Sequence, residues 1–280
     1  MLATLLTDVR KMARQKKLYD NKETGTAPTA EPVPEGIIAE EKPKEAAKPT
    51  KAEIDFGRFV PRTELGKKVK SGEITDIRQI FDQGLKIREA EIVDRLLPNL
   101  KSDFILIGQS HGKFGGGKRR LIKQTQKKTA EGNKPVFTAL AIIGNGDGYF
   151  GVGRGTAKES IPAKEKALRE AKTNLIQIPR GCGSWKCGCG EPHSLPFKVE
   201  GKSGSVQIKL MPAPKGAGLA TDDEIKKILS LAGYKDVWSK SVGQTRKKIN
   251  FVHAAVNALY AASRMKVKPG VPVRYGALAQ

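Results

Sequence analysis

A run of glycines between residues 144 and 155 has the spacing of a nucleotide-binding loop. Gly146, Gly148 and Gly151 satisfy G-x-G-x-x-G. That pattern binds phosphates where it joins a strand directly to a helix, because the helix amides then point at the pyrophosphate. Here it leads into a second strand-like segment, YFGVGRG, and its Asn-Gly and Asp-Gly pairs supply the positive φ of tight turns. The sequence therefore predicts a β-hairpin rather than a nucleotide site.

The returning strand of this hairpin presents only glycine on one face. Gly151, Gly153 and Gly155 alternate with Phe150 and Val152, which we expect to point into the core. Glycine inside a strand marks the close approach of another backbone or of a ligand. We expect an RNA sugar-phosphate strand on this face, with a purely structural hairpin as the alternative. The residues predicted to contact RNA here are Gly151, Gly153, Arg154 and Lys158.

The three cysteines of the chain lie between residues 182 and 189, close to a histidine. Cys182, Cys187, Cys189 and His193 form C-x4-C-x-C-x3-H, a set of ligands that tetrahedral Zn²⁺ accepts. Against this, paired C-x2-C motifs are absent and C-x-C is cramped around a single ion. Two interpretations stay open: one structural Zn²⁺, or free thiols in a turn-rich loop with His193 contacting RNA or backbone.

The charge balance of the chain points to a polyanionic partner. Lys and Arg number 51 against 29 acids, a formal net charge of +22, which favours nucleic acid over an anionic membrane surface. Basic residues concentrate in segment 109–134, which is expected to be a long Gly-rich loop or hairpin extension. RNA contact is predicted there, and a solvated charged loop is the alternative. The predicted RNA-binding residues are Lys113, Lys118, Arg119, Arg120, Lys123, Lys127 and Lys128, together with Lys215 in the loop PAPKGAGLA.

Neither a membrane span nor a catalytic site is predicted. No window approaches the roughly 18 apolar residues of a spanning helix, and an odd set of cysteines fits a reducing, cytoplasmic setting. His111, His193 and His253 have no evident nucleophile or orienting acid nearby in sequence. The segment PAPKGAGLATDD lacks the adjacent serines of a small-molecule kinase loop. We therefore expect a protein that is not an enzyme.

The order of elements predicts an α+β fold of two small units with extensions. Residues 1–55 are expected to be a largely disordered extension, because 21–52 are rich in Pro, Ala, Glu, Lys and Thr and have almost no large apolar side chain. Leu2, Leu5 and Leu6 lie on one helical face at its start, where a short docking helix or frayed tail is expected and a weak organelle-targeting segment is the alternative. The remaining predicted regions are a basic helical extension at 56–98, an RNA-binding domain at 99–180, a Cys/Gly linker and zinc loop at 181–195, a C-terminal α+β domain at 196–265 and a tail at 266–280.

Hydrophobic periodicity places the main elements. Strands are expected at 103–108, at 136–144 and in YFGVGRG, followed by a helix over 160–176. A capping-box pair, Thr221 and Glu224, is expected to open a helix in the second unit that Gly233 ends. The residues expected to face inward from the first helix are Ile161, Leu168, Ala171 and Leu175.

Several longer stretches closely resemble a known family. They are IIGNGDGYFGVGRGTAKE, AKTNLIQIPRGCGSWKCGCGEPH, GKSGSVQIKLMPAPKGAGL and LAGYKDVWSKSVGQTRKKINFVHAAVNAL, with VPRTELGKKVKSGEITDIRQIF and EIVDRLLPNL before them. Over about residues 55–265 the chain resembles the S-five family of small-subunit ribosomal proteins in its archaeal form.

This resemblance implies both a fold and a function. The fold would be a double-stranded-RNA-binding-type domain followed by an α+β domain with a left-handed βαβ crossover, although right-handed crossovers are the rule. The function would be to bind small-subunit rRNA near the decoding region and the path by which mRNA enters, and to contribute to translational accuracy. Neighbours would be the S-four, S-three and S-eight family proteins, on small subunits in the cytoplasm. The alternative is a free-standing nucleic-acid-binding or nucleotide-using protein.

Overall fold

The computed structural model of the chain describes residues 59–109, 119–265 and 273–275. The predictions for residues 1–55, for Lys113 and Lys118, and for most of the tail lie outside the described residues. Within them the helices are α1 Glu64–Ser71, α2 Ile77–Asp82, α3 Ala90–Leu96, α4 Ser160–Thr173, α5 Asp223–Ala232 and α6 Lys248–Arg264. The strands are β1 Lys101–Phe104, β2 Lys123–Thr129, β3 Gly132–Gly144, β4 Tyr149–Ala157, β5 Leu175–Gln177, β6 Pro179–Gly181, β7 Val199–Ser203, β8 Val206–Pro212, β9 Leu219–Ala220, β10 Val237–Val242 and β11 Val273–Tyr275.

The first sheet is antiparallel and has the strand order β1-β3-β4-β5, with β2 paired to the first half of β3. Residues 137–144 of β3 lie opposite 150–157 of β4, which is the hairpin that the glycine pattern predicted. None of the helices in the described part of the chain combines the length and apolar character needed to cross a membrane.

The turn of the β3–β4 hairpin depends on an asparagine and two glycines. Asn145 Oδ1 accepts the backbone amides of Asp147 and Tyr149. Gly146 and Gly148 adopt φ of 78° and 101°, which residues with a Cβ rarely reach. The turn therefore has a local structural explanation that needs no bound phosphate.

The glycine face of β4 is covered by helix α4. A Cβ atom on Gly153 would lie closer than 3.0 Å to backbone atoms of Ala167 and Ala171, and Gly151 and Gly155 are packed in the same way. The backbone of α4, rather than RNA, occupies this face. The prediction that Gly151 and Gly153 contact RNA is therefore wrong, and the structural alternative is correct.

Helix α4 meets these glycines with its own small residues. Ala163, Ala167 and Ala171 are fully buried at helical spacing, so two backbones approach closely with no large side chain between them. Ile161 was expected to face inward but is 66% exposed. The helix also ends three residues earlier than expected, and Leu175 belongs to β5. Ala171 was expected to face inward and does so, but Ala163 and Ala167 were not considered, and the large apolar side chain of Ile161 was given their place.

The opposite face of the first sheet packs against the elements from β7 to α6, residues 199–264, which we call the second half of the chain. Phe150 and Val152 were expected in the core, and they are buried in a cluster that continues into β8, α5 and α6. Members of this cluster from the second half include Ile208, Leu210, Ile225, Val252 and Leu259. The first sheet thus lies between α4 on one side and the second half on the other.

The second sheet has the strand order β7-β8-β10-β9. β9 and β10 are parallel and are joined through α5, which makes a βαβ unit; the short β9 was not expected from the sequence. α6 lies on this sheet and, as on β4, meets a glycine: a Cβ on Gly201 would overlap backbone atoms of Ala254 and Ala258. The α+β class is confirmed.

Two local predictions need correction. β1 spans Lys101–Phe104 rather than 103–108, and the chain beyond it is held by single contacts such as the amide of Ile105 to the carbonyl of Leu140, 3.0 Å. The cap of α5 is Asp222, whose side chain accepts the amide of Glu224. Glu224 is instead buried and accepts the amide of Leu106 at 3.1 Å. Its carboxylate therefore ties the two halves together.

Candidate metal centre and nucleic-acid interface

The cysteine loop is closed at its base by backbone hydrogen bonds. Gly181, the last residue of β6, and Ser194 exchange both amide–carbonyl bonds, at 2.8 and 2.9 Å. The amide of Gly183 donates to Leu195 O at 3.1 Å. The two ends of residues 182–193 consequently lie side by side, which forces the residues between them into a compact loop.

The four predicted ligands converge inside this loop. Cys187 Sγ lies 3.4 Å from Cys189 Sγ and 3.7 Å from His193 Nε2, and Cys189 Sγ lies 3.6 Å from Cys182 Sγ. All four ligand atoms lie within 4.8 Å of one another. A tetrahedral ion with Zn–S bonds of about 2.3 Å sets its sulfur ligands about 3.8 Å apart. The C-x-C segment is therefore not too cramped for a single ion.

The histidine of this cluster is buried and is oriented by a carboxylate. His193 Nδ1 lies 2.9 Å from Oδ2 of Asp236, and both residues are buried. A carboxylate at Nδ1 holds the ring proton there, so Nε2 keeps its lone pair on the side of the cysteine sulfurs. Asp236 Oδ1 also accepts the amide of Gly218 at 2.8 Å. The buried pair thus links the cysteine loop to the second sheet.

The protonation of Cys187 suits a metal ligand. The backbone amide of Lys215, with the amide and thiol of Cys189, hydrogen-bonds to its sulfur and lowers the pKa of Cys187 to about 6. The thiolate is the form that binds metals. At pH 7 this cysteine is therefore largely in the ligating form.

The predicted basic segment extends from the first sheet as a two-stranded arm. We call residues 123–137, which form β2 and the first half of β3, the basic hairpin. Lys123, Lys127 and Lys128 are exposed on β2, a strand that is exposed along almost its whole length. Only near the turn does a carboxylate intervene, where Glu131 pairs with Lys134 at 2.7 Å. The basic hairpin therefore offers a row of ammonium groups to a polyanion.

The other predicted RNA-binding residues are spread over three places. Arg120 is exposed before the basic hairpin, while Arg119 is half-buried and donates from Nη2 to the carbonyl of Arg246 at 2.9 Å. Arg154 and Lys158 are exposed on and after the end of β4. Lys215 lies beside the cysteine loop, where its Nζ pairs with Glu191 at 2.8 Å. The structure thus keeps most of these cations on the surface but does not gather them at one point.

Two sets of residues in these candidate sites were not predicted from the sequence. Asp236 lies 43 residues after His193, and no spacing rule joins them. Arg246, Lys247 and Lys248 form a basic triplet at the start of α6 and in the turn before it. Their run of charge was a visible signal, but it was not connected to the 109–134 segment.

Comparison with known proteins gives consistent matches over this fold. The model of the ribosomal protein S5 N-terminal domain matches residues 121–179, and that of the S5 C-terminal domain matches 201–267. A protein of Nanoarchaeum equitans (strain Kin4-M) named small ribosomal subunit protein uS5 is 50% identical over 216 residues, covering 77% of this chain and 93% of the relative. The chain belongs to the ribosomal protein S5 family.

Other S5 relatives agree in name and extent. The small ribosomal subunit protein uS5 of Thermoplasma acidophilum is 45% identical over 213 residues, 76% of this chain and 90% of the relative. That of Pyrobaculum aerophilum is 50% identical over 206 residues, 74% of this chain and 88% of the relative. These organisms are archaea, so the resemblance to the archaeal form of the S5 family is confirmed.

The two S5 domain matches frame the candidate metal centre. The first covers β2 to β5 with α4, and the second covers most of the second sheet with α5 and α6. The cysteine loop at 182–193 falls in the segment between the two matches. Asp236, which contacts His193 of this loop, belongs to the second matched domain. The candidate metal centre therefore connects the segment between the two S5 domains to the C-terminal S5 domain.

Proposed function

We propose that this chain is a structural constituent of the small ribosomal subunit, where it binds rRNA and carries out no catalysis. Its membership of the S5 family and the names of its relatives support this role, as does the exposed basic hairpin on an S5 scaffold. A place on the ribosome in the cytoplasm follows from the same role. The observation that carries the proposal is family membership over three quarters of the chain.

The finer parts of this role are also proposals. The order of α3, β1, β3, β4 and α4, with β2 between β1 and β3, supports a double-stranded-RNA-binding-type domain, and β9-α5-β10 is the unit proposed to form the left-handed crossover. We propose a position on small-subunit rRNA near the decoding region and the path by which mRNA enters. There the chain would contact S-four, S-three and S-eight family proteins and contribute to accuracy by holding its neighbours in register.

Charge supplies the affinity in this proposal. Each Lys or Arg that neutralises a phosphate releases condensed counterions, so log K falls with log[salt] by about 0.9 per contact on duplexes and about 0.7 on single strands. The basic hairpin projects several ammonium groups with few carboxylates to compete for them. Its lysines are therefore expected to determine much of the salt dependence.

Replacing Lys127 and Lys128 by glutamine tests the role of the hairpin. We expect the salt slope for an archaeal small-subunit rRNA transcript to fall by about 1.4–1.8, because two phosphate contacts are lost. The matched control is Lys235→Gln with Lys240→Gln, which removes the same charge from exposed positions of the second half. The measurement is anisotropy titration of the full chain at several KCl concentrations on either side of the physiological value.

Sedimentation tests the role as a subunit component. The tagged chain is expected to stay with small subunits through a high-salt wash. A chain found free in the cytosol that binds ATP would instead support a free-standing, nucleotide-using protein. If the hairpin variant and its control have equal salt slopes, the basic hairpin does not contact the RNA.

We also propose that Cys182, Cys187, Cys189 and His193 hold one structural Zn²⁺. The donor set, the distances between its ligand atoms and the carboxylate behind His193 fit a closed, four-coordinate zinc site. When bound, the ion would cross-link a loop that has little core of its own. The surrounding residues orient the His193 ring through Asp236 and lower the pKa of Cys187.

Metal analysis of the purified chain tests the zinc proposal. We expect about one zinc per chain under reducing conditions. The zinc content of Cys187→Ser should be much lower, because one of four ligands is removed. The control is Trp185→Ala, which changes a side chain of the same loop that is 91% exposed and is not a ligand. Clearly substoichiometric zinc in the parent chain, unchanged in Cys187→Ser, would retire the proposal.

A further inference from the structure

A cleft with a strongly cationic lining lies between the base of the basic hairpin and the turn before α6. Its volume is about 740 Å³. Residues that follow β1 and residues at the start of β2 form one wall, and residues between Gln244 and Ile249 form the other, so the first and second halves of the chain each supply a side. The cations that line it are Arg119, Lys123, Arg246, Lys247 and Lys248.

Most of this charge is not neutralised by the protein. Lys248 pairs with both carboxylate oxygens of Asp222 at 2.6 Å. The other four cations form no ion pair with the described residues, and no acid lines the cleft. Lys123, Arg246 and Lys247 are exposed. A cleft with such an excess of one charge favours an anion that can enter it.

The two walls are connected. Arg119 donates to the carbonyl of Arg246 at 2.9 Å, which bridges the base of the hairpin and the turn. The amide of Gly108 donates to the carbonyl of Arg120 at 2.8 Å and ties the hairpin side to the segment that follows β1. α6 starts at Lys248, so the other wall is anchored in a helix whose inner face is buried in the shared core. The cleft is therefore a feature of the packed molecule.

We propose that this cleft binds a sugar-phosphate strand of RNA, with Arg246 and Lys247 of the second half completing the surface that begins on the basic hairpin. This rests on the proposed rRNA-binding function and extends it to residues outside the first S5 domain. Lys123 belongs both to the cleft and to β2. Because side chains four apart on a strand share a face, Lys123 and Lys127 lie in line about 13 Å apart and continue the cationic row out of the cleft.

The lining favours RNA over an acidic protein segment. Protein interfaces concentrate their affinity in buried aromatic or large apolar anchors. Besides its cations, this cleft offers the amides of Gln109 and Gln244 and the aliphatic residues Ile107 and Ile249, the first of which is buried and the second partly so. Guanidinium and amide groups are suited to phosphate and ribose oxygens.

Salt-dependent binding of the full chain to the archaeal small-subunit rRNA transcript tests this inference. Arg246→Gln with Lys247→Gln is expected to lower the salt slope by about 1.4–1.8, because two phosphate contacts are lost. Lys235→Gln with Lys240→Gln is the charge-matched control and should leave the slope unchanged. Arg246→Lys with Lys247→Arg should restore most of it. Matching thermal unfolding of the variants ensures that all are folded.

The possible outcomes distinguish failure of this inference from failure of the proposed rRNA-binding function. If Arg246→Gln with Lys247→Gln behaves like the control while the Lys127 and Lys128 variant loses slope, the cleft is not an RNA site and the proposed function stands. If the parent chain does not bind the transcript, both fail. If a poly-glutamate probe binds the parent more tightly than the transcript and only that binding is lost in the cleft variant, the occupant is an acidic protein segment and the RNA inference is overturned.

Discussion

Replacing Gly153 by alanine is expected to lower the free energy of unfolding by about 3 kcal/mol, an effect at the upper end of overpacking changes. The added Cβ would overlap backbone atoms of Ala167 and Ala171. Backbone inside a helix cannot rotate away as a side chain can, so α4 must lift from β4 as a unit. Urea denaturation of the full chain measures the change.

Gly188→Ala is the matched control for this substitution. A Cβ added to Gly188 would meet no atom within 4 Å, and its φ is not positive, so its replacement should change the free energy of unfolding by less than about 0.5 kcal/mol. For the folded fraction of Gly153→Ala, rRNA affinity should equal that of the parent chain, because RNA does not use that face. An unfolding free energy near the parent value would show that α4 does not press on the strand as described.

Replacing Asp236 by alanine should destabilise the chain by about 3 kcal/mol, because one buried and one half-buried donor lose their acceptor at once. These donors are His193 Nδ1, at 2.9 Å, and the amide of Gly218, at 2.8 Å. If Zn²⁺ is bound as proposed, its affinity should also fall by about 10–100-fold, because His193 loses the group that orients it. Denaturation and competition with a zinc chelator measure the two effects separately.

Asp223→Ala serves as the control for this change. Its side chain is 91% exposed and pairs only with Lys226 one helical turn away, so we expect little change in stability and none in zinc affinity. A stable Asp236→Ala chain with unaltered zinc binding would mean that the buried carboxylate neither supports the fold nor orients the histidine.

The alternation of glycine and large residues in β4 was enough to predict its two faces, but not what covers each. The period of a strand is local, and it placed Phe150 and Val152 in the core correctly. Whether the bare face meets RNA or a helix depends on where α4 packs, which is a tertiary property. Ala163, Ala167 and Ala171 were the signal for that contact, because small residues at helical spacing permit close backbone approach.

In the candidate metal centre, too, the local part could be predicted from the sequence and the tertiary contact could not. The cysteine spacing was sufficient to predict which four side chains converge, since all four residues belong to one loop closed at its base. The carboxylate behind His193 comes from β-sheet packing across 43 residues, and no local pattern encodes it. β2 was predicted only as a loop or hairpin extension, because KQTQKKT is exposed along almost its whole length and lacks the alternation that identifies a strand.

The position of the first sheet between α4 and the second half has a consequence for synthesis of the chain. Leu140, Ile142, Phe150 and Val152 are covered by residues as far along as Ala262. At about 5–20 residues per second, translation takes roughly 4–17 s to pass from β5 to the end of α6. During that interval the nascent first half carries an uncovered aliphatic surface on a chain with a large excess of positive charge. The first sheet can therefore bury this apolar face completely only once α6 has been synthesised.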